Sequence, residues 1–391
     1  MSCGALAHLG DRGRVVARHR PVSVHETEPI RRSIEVEYWV IDESGRLAEP
    51  GTLVEAAPGV EREFVEPLLE IKTTPCESTD ALRAELFDRV ERVLRRADEV
   101  GKGLVPLATP VGEAEIGELS SERTRIQNRV VGEDFEYARH CAGTHVHVEQ
   151  QSGCALDQYN AFVALDPALA LVNSSPYYRG RRLAAGARSK LYRWMAYDSL
   201  AHQGRLWDYL SSREEYERRL ERRHEEFVAA AMDAGAERRA VEANFDPESA
   251  VWTPVQFRER FGTVEWRSPD TALPSQVVAL ADRLATVSAD IRETPVRVEG
   301  GAGAVTDETV VLPEFDAVIG YVNAAIRDGL GSEAVRSYLD RMGFDVSAFS
   351  PVSHGIAGAA PLDRTTSRRI RREHADRLAR DVRQTNSVSG A

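Results

Sequence analysis

Four short stretches of this 391-residue chain turn acids, histidines and an arginine toward one side of an alternating pattern. In SIEVEYWVI (33–41), Ile34, Val36, Tyr38 and Val40 alternate with Ser33, Glu35, Glu37 and Trp39, so a period-two strand carries two carboxylates on its polar side. At roughly 3.4 Å per residue those carboxylates stand about 7 Å apart, close enough to share one or two divalent cations. EPLLEIKTT (66–74) sets Glu70 and Lys72 opposite Leu69 and Ile71. GTHVHVE (143–149) sets His145, His147 and Glu149 opposite Thr144, Val146 and Val148, and TVEWRS (263–268) sets Glu265 and Arg267 opposite Val264 and Trp266. Glu63, Glu70, His145, His147 and Glu265 are therefore candidates to join Glu35 and Glu37 as metal ligands. Arg267 would offer a bidentate fork to a phosphoryl or carboxylate group. Each strand alone equally describes the wet face of an antiparallel sheet, and Glu265 with Arg267 an ordinary surface pair. Several such strands occurring together are what point to a site.

Other chemistries find less support. There is no G-x-x-x-x-G-K-[ST] loop, no G-x-G-x-x-G after a strand, no H-E-x-x-H and no G-x-S-x-G. A nucleotide would have to be cradled by something other than a glycine-rich loop. Cys3, Cys76, Cys141 and Cys154 show no C-x-x-C spacing and no activating base, which reads as small apolar residues in a reducing compartment. The H-x-H strand also suits a cupin-type metal oxygenase, but Glu149 follows after two residues where about four are needed, and no second histidine motif stands out. Trp252 and Trp266 read as core residues.

The elements that must position these residues form an α+β pattern. After an arm over residues 1–30, the strands above are interspersed with helical periodicity. The clearest helix has Ser78, Thr79 and Asp80 as N-cap candidates, a stripe of Leu82, Leu86, Val90, Val93 and Ala97, and Gly101 as its stop. Further helical stretches are expected around 155–171, 189–209, 212–234, 275–292, 314–328, 332–342 and 362–384, with a frayed tail over 384–391. Strands scattered among helices without βαβ alternation favour an antiparallel or mixed sheet with helices on its outer face. Residues 31–383 read as a single domain.

Composition bounds the partners. With 62 acidic against 50 basic side chains and a formal charge of -12, non-specific nucleic-acid binding is disfavoured. No run approaches the roughly 18 apolar residues of a membrane helix, and the opening residues hold no apolar stretch suited to a secretory signal, so a cytoplasmic protein is expected. Only Lys72, Lys102 and Lys190 are lysines, leaving 50 − 3 = 47 arginines. Such an acidic, lysine-poor chain suits either a salty cytoplasm or a GC-rich genome.

In order along the chain, SIEVEYWVID, EFVEPLLEIKTTP, GTHVHVE, VNSSPYYRG and FGTVEWRSPDT resemble the motifs of the type 2 glutamate–cysteine ligase and carboxylate–amine ligase family, related in fold to glutamine synthetase. The resemblance spans roughly residues 33–290, and within the family it looks most like the ligases of salt-loving archaea. It implies a funnel-shaped, mostly antiparallel sheet of about six strands, of the glutamine synthetase/guanido kinase type, whose inner face binds ATP, glutamate and two or three Mg²⁺ ions. It implies that Glu35, Glu37, Glu63, Glu70, Glu265 and one of His145 and His147 hold metal, and that Arg267 contacts the transferring phosphoryl. The substrates would be L-glutamate and L-cysteine, with another amine acceptor as the alternative. Arg179 and Arg125 are candidates to hold the glutamate carboxylate, although each is also one of 47 arginines.

Overall fold

The computed structural model describes residues 28–388 apart from 307, 357 and 359, so most of the N-terminal arm lies outside the described residues. The strict alternation of the first motif is realised in β1 (Arg32–Asp42), whose Ile34, Val36, Tyr38 and Val40 are fully buried. Along one edge β1 pairs with β3 (Leu68–Lys72), and β2 (Val60–Arg62) lies beyond β3. The opposite edge takes two strands end to end: β5 (Thr144–Glu149) against Arg32–Val36, and β4 (Lys102–Val105) against Trp39–Asp42. A two-stranded ribbon, β6 (Tyr177–Tyr178) and β7 (Arg181–Arg182), interrupts the chain before the sheet resumes. It then continues through β9 (Thr263–Trp266) to β8 (Val255–Arg258).

The order is β2-β3-β1-β5-β9-β8 with β4 on the flank of β1, and every pairing is antiparallel. The sheet therefore has seven strands where about six were expected. The additional β4, KGLV, is too short and glycine-containing to show a period. It pairs because β1 outruns β5 and leaves an open edge.

The apolar face of the sheet is covered by helices. The α1 helix (Thr79–Glu99) is capped by Ser78, whose hydroxyl accepts from the Ala81 amide, and its whole stripe from Leu82 to Ala97 is buried. It breaks at Gly101, which takes φ +65, a conformation open to glycine at no steric cost. Further along the chain come α2 (Glu122–Val131), α3 (Phe135–Arg139), α4 (Ala155–Leu165), α5 (Ala187–Trp194), α6 (Arg213–Asp233), α7 (Arg238–Asn244) and α8 (Pro247–Ala250). Of these α4 joins α1 and the later α9 (Pro274–Glu293) and α12 (Arg364–Val388) in the main core, while Ile126, Val130, Phe227, Val228, Val241 and Phe245 gather α2, α6 and α7 into a second cluster. A small sheet of β10 (Val296–Val298), β11 (Ala304–Val305) and β12 (Val310–Leu312) leads to α10 (Phe315–Asp328) and α11 (Glu333–Arg341). One apolar cluster includes residues from Ile30 to Val382.

Two helical expectations are corrected. The stretch 155–171 is α4 followed by a 3₁₀ segment over Asp166–Val172, because Pro167 supplies no amide hydrogen to continue the α-helical ladder. The stretch 189–209 is helical only to Trp194; Gly204 then takes φ +73 where a Cβ would run into the Tyr192 carbonyl. The last helix, expected over 362–384, is described as Arg364–Val388. Residues 389–391 lie outside the described residues.

Candidate active site

Register across the sheet decides which functional side chains meet. On β1, Glu35 lies opposite His145 of β5 and Lys72 of β3, while Glu37 lies opposite Glu70. On β5, His147 lies opposite Glu265 of β9. Two clusters result, one of Glu35, His145 and Glu265 and one of Glu37, Glu63 and Glu70, each with ligand atoms within 4.8 Å of one another. They sit side by side because Glu35 and Glu37 are successive residues on the same face of one strand.

In the first cluster His145 Nδ1 is 3.3 Å from Glu35 Oε2 and 3.4 Å from Glu265 Oε1. His147 also reaches it, with Nε2 3.8 Å from Glu35 Oε1 and 3.6 Å from Glu265 Oε1, while its Nδ1 meets the Thr263 hydroxyl at 3.1 Å. Both histidines of the H-x-H pair thus face the same acids. In the second cluster Glu37 Oε2 accepts from the Gly143 amide at 2.6 Å, and Glu70 Oε2 is 2.8 Å from Lys72 Nζ.

The two clusters are electrostatically unlike. Burial would raise the Glu35 carboxyl, but the His145 hydrogen bond and the charges of His145 and His147 hold it below its ordinary range. Burial opposes ionisation of Glu265 as well, and Arg267, His147, His145 and Arg258 together hold it low. His147 is lowered by burial yet raised overall by Glu265 and Glu35. In the second cluster burial and the charges of Glu35 and Glu37 push Glu70 up to about 7 despite Lys72. Glu63 is driven well above the usual range by burial and by Glu70 and Glu37. Three crowded carboxylates facing one lysine lack positive charge, and an all-oxygen donor set suits a hard divalent cation. In the first cluster Glu265 Oε2 and His147 Nε2 are buried without hydrogen-bond partners, as an incomplete coordination shell would leave them. The residues fit metal at both places.

Arg267 stands beside the first cluster, its Nε 3.6 Å from Glu265 Oε1 and its Nη1 donating to Gln256 Oε1 at 3.2 Å. Its guanidinium lies 4.6 Å over the Trp252 ring, which stacks on Tyr192 at 4.2 Å. Trp252 is therefore a half-buried platform for Arg267, whereas Trp266 is fully buried in the core.

A family model described as glutamate–cysteine ligase family 2 matches residues 19–341. The chain belongs to this family. No curated protein sequence matches it. Among solved structures, the glutamate–cysteine ligase of Francisella tularensis in complex with AMP aligns with a TM-score of 0.53 at 14% identity, covering 93% of each chain. The bifunctional glutathione synthetase of Pasteurella multocida aligns with a TM-score of 0.50 at 13% identity, over 90% of this chain and 53% of that one. This family 2 chain thus spans about half the length of the Pasteurella enzyme, and at these identities the likeness is one of fold.

Within this family 2 chain, seven of the residues singled out as metal ligands from sequence come together: Glu35, Glu37, Glu63, Glu70, His145, His147 and Glu265. Arg125 and Arg179 do not join them. Arg125 is exposed on α2 and pairs with Glu122 at 3.0 Å, while Arg179, in the β6–β7 turn, pairs with Glu136 and lies over the Tyr178 ring. An arginine in either surface setting keeps an acid partner one short reach away, and neither is brought to the polar face of the sheet. Glu149, which a cupin-type site would need, is instead held by the Arg31 amide and guanidinium. Cys76 and Cys141 are buried, and burial pushes both thiols up, Cys76 to about 11 with Glu85 adding to it; neither has the character of a nucleophile.

Sequence reading missed Arg258. On β8 its Nε lies 3.5 Å from Glu265 Oε2 and 3.6 Å from Glu248 Oε2, so it shares Glu265 with the histidines. The signal was present, since Gln256 and Arg258 alternate in VQFR, but nothing local says that this strand neighbours β9. Also missed was Asp166, fully buried behind β9, which accepts from Trp266 Nε1 at 3.0 Å and from the Ser268 hydroxyl and pairs with Arg193 at 2.8 Å. It anchors, from behind, the strand that carries Glu265 and leads directly into Arg267.

Proposed function

We propose that this chain is an ATP- and Mg²⁺-dependent glutamate–cysteine ligase that forms γ-glutamylcysteine through γ-glutamyl phosphate. The observation that carries the reading is the pair of acid clusters sharing β1, with Arg267 held beside one of them. Glu35, Glu265 and the two histidines would hold one Mg²⁺ ion, and Glu37, Glu63 and Glu70 another. When bound, Mg²⁺ would supply neutralisation of phosphate charge. Arg267, fixed by Trp252 and Gln256, would present a two-pronged donor to the γ-phosphoryl group, and Arg258 a second guanidinium on the same side. In-line attack by the glutamate γ-carboxylate on the γ-phosphorus breaks its bond to ADP; the cysteine amine then attacks the acyl carbon, loses a proton and expels phosphate. Positioning and fixed charge account for most of the barrier lowering in such transfers. Arg125 and Arg179 have no part in this assignment, because Glu122 and Glu136 already engage them.

A cytoplasmic setting belongs to the proposal: ATP is available there, and Cys76, Cys141 and Cys154 are all free thiols. The test is phosphate release by the purified protein with ATP, Mg²⁺ and glutamate, adding each amino acid in turn. Release stimulated by cysteine alone is expected. Release stimulated by a different amine, with cysteine no better than no acceptor, would move the chain to another carboxylate–amine ligase. Metal-bound protein without ATP turnover under any acceptor would overturn the ligase reading.

A further inference from the structure

A cavity of about 880 Å³, lined by none of the metal-cluster residues, lies between the start of α12, the β1 hairpin loop and the 113–117 segment. Five arginines line it, Arg364, Arg368 and Arg371 of α12 with Arg46 and Arg179, against three glutamates. The α12 arginines follow at spacings of four and three, so they share one helix face. Arg364 lies in the first turn, whose end Asp363 caps by accepting from the Thr366 amide, while Arg368 and Arg371 stack one turn apart on the same face, where like charges repel. This placement costs stability unless an anion offsets it.

Arg371 is the telling residue. It is 3% exposed, its Nε is buried with no hydrogen-bond partner, and no acid pairs with it among the described residues. Asp42, whose charge acts on it, is already engaged by the Ser44 hydroxyl and by Arg46. A buried guanidinium left unpaired beside a cavity is what an absent anionic ligand leaves behind. No residue of either cluster lines the cavity; the nearest lining residue in sequence is Glu66, three positions from Glu63.

We propose that this cavity is a second, metal-independent site for a small polyanion bearing two or more carboxylate or phosphoryl groups, gripped by Arg371, Arg368 and Arg364. The inference stands apart from the ligase reading, since neither cluster contributes to it. Isothermal titration of the full-length, metal-free protein in EDTA with citrate and with inorganic pyrophosphate tests it, with KCl at matched ionic strength as the control. Saturable binding of at least one probe is expected, citrate alone marking a carboxylate ligand and pyrophosphate alone a phosphoryl one. Arg371→Gln should weaken that binding at least tenfold, and so should the combined Arg364→Gln and Arg368→Gln, whose side chains are more exposed and whose fold is safer. Glu265→Gln should leave it unchanged. Heat no greater than that from KCl, undiminished binding in the double variant, or loss of binding in Glu265→Gln would each overturn the proposal.

Discussion

Glu35 and Glu37 are neighbours on one strand face yet end in different clusters, so single substitutions report on each cluster separately. Glu35→Gln, Glu37→Gln and Glu265→Gln should each lower cysteine-dependent phosphate release by roughly a hundredfold or more, the scale of losing one electrostatic contact to a transition state. Circular dichroism should show the fold intact: Glu37→Gln relieves carboxylate crowding, while Glu35→Gln and Glu265→Gln keep a polar group of the same size facing the histidines and arginines. Near-normal rates in all three would remove the metal assignment. Arg267→Lys should be nearly as severe, since a point charge cannot reproduce a planar fork lying on Trp252.

The raised carboxyls give a pH dependence whose sign is set. Glu70 goes from 4.5 to about 7, and buried Asp270 from 3.8 to about 7, so their contribution is fully present below those ordinary values and lost as pH rises through about 7. Glu35 and Glu265 are lowered and act oppositely, but only as pH falls below the ordinary carboxylate range. Thermal melts in EDTA should therefore show the metal-free protein losing stability between 4.5 and about 7. Mg²⁺ binds the ionised form, so its stabilising effect should be larger at about pH 8 than at about pH 5.5, and Glu70→Gln should shrink that difference.

At the scale of elements, β9 is held from behind by what Asp166 bonds. Asp166→Asn would leave the Arg193 guanidinium buried opposite a neutral amide, at a cost of about 3 kcal/mol or more. Urea denaturation should read this loss, and ligation should fall with it because Glu265 and Arg267 alternate with the anchored Trp266 and Ser268 along the end of β9 and the residues just after it. Unchanged stability would mean that Asp166 does not anchor β9. The strand motifs themselves were legible because period two writes itself into residue order. Short or interrupted pieces were not: β4 has four residues, and the helix expected to 209 stops at Trp194.

For the whole molecule, the surplus of 62 acids over 50 bases divides between surface solvation and the few acids turned inward. If the surface is adapted to salt, stability should rise from low to molar KCl, as self-repulsion is screened. Equal stability at both would assign the arginine-rich composition to the genome. Among the described residues no helix is long and apolar enough to cross a membrane.

Residue order alone determined which side chains share a strand face, and so identified Glu35 with Glu37, His145 with His147, and Glu265 with Arg267, because side chains alternate locally whatever the strand pairs with. The pattern of motifs likewise pointed to the family that the matched residues 19–341 confirm. Which faces meet depended on strand register between residues up to 230 positions apart, from Glu35 to Glu265, and only the tertiary structure decided that. It split the acids into two clusters, drew in Arg258 and Asp166, left Arg125 and Arg179 to Glu122 and Glu136, and set three α12 arginines around a cavity. Such long-range pairings leave no local period in a sequence, since they are set by how the buried faces of β1, β5 and β9 pack.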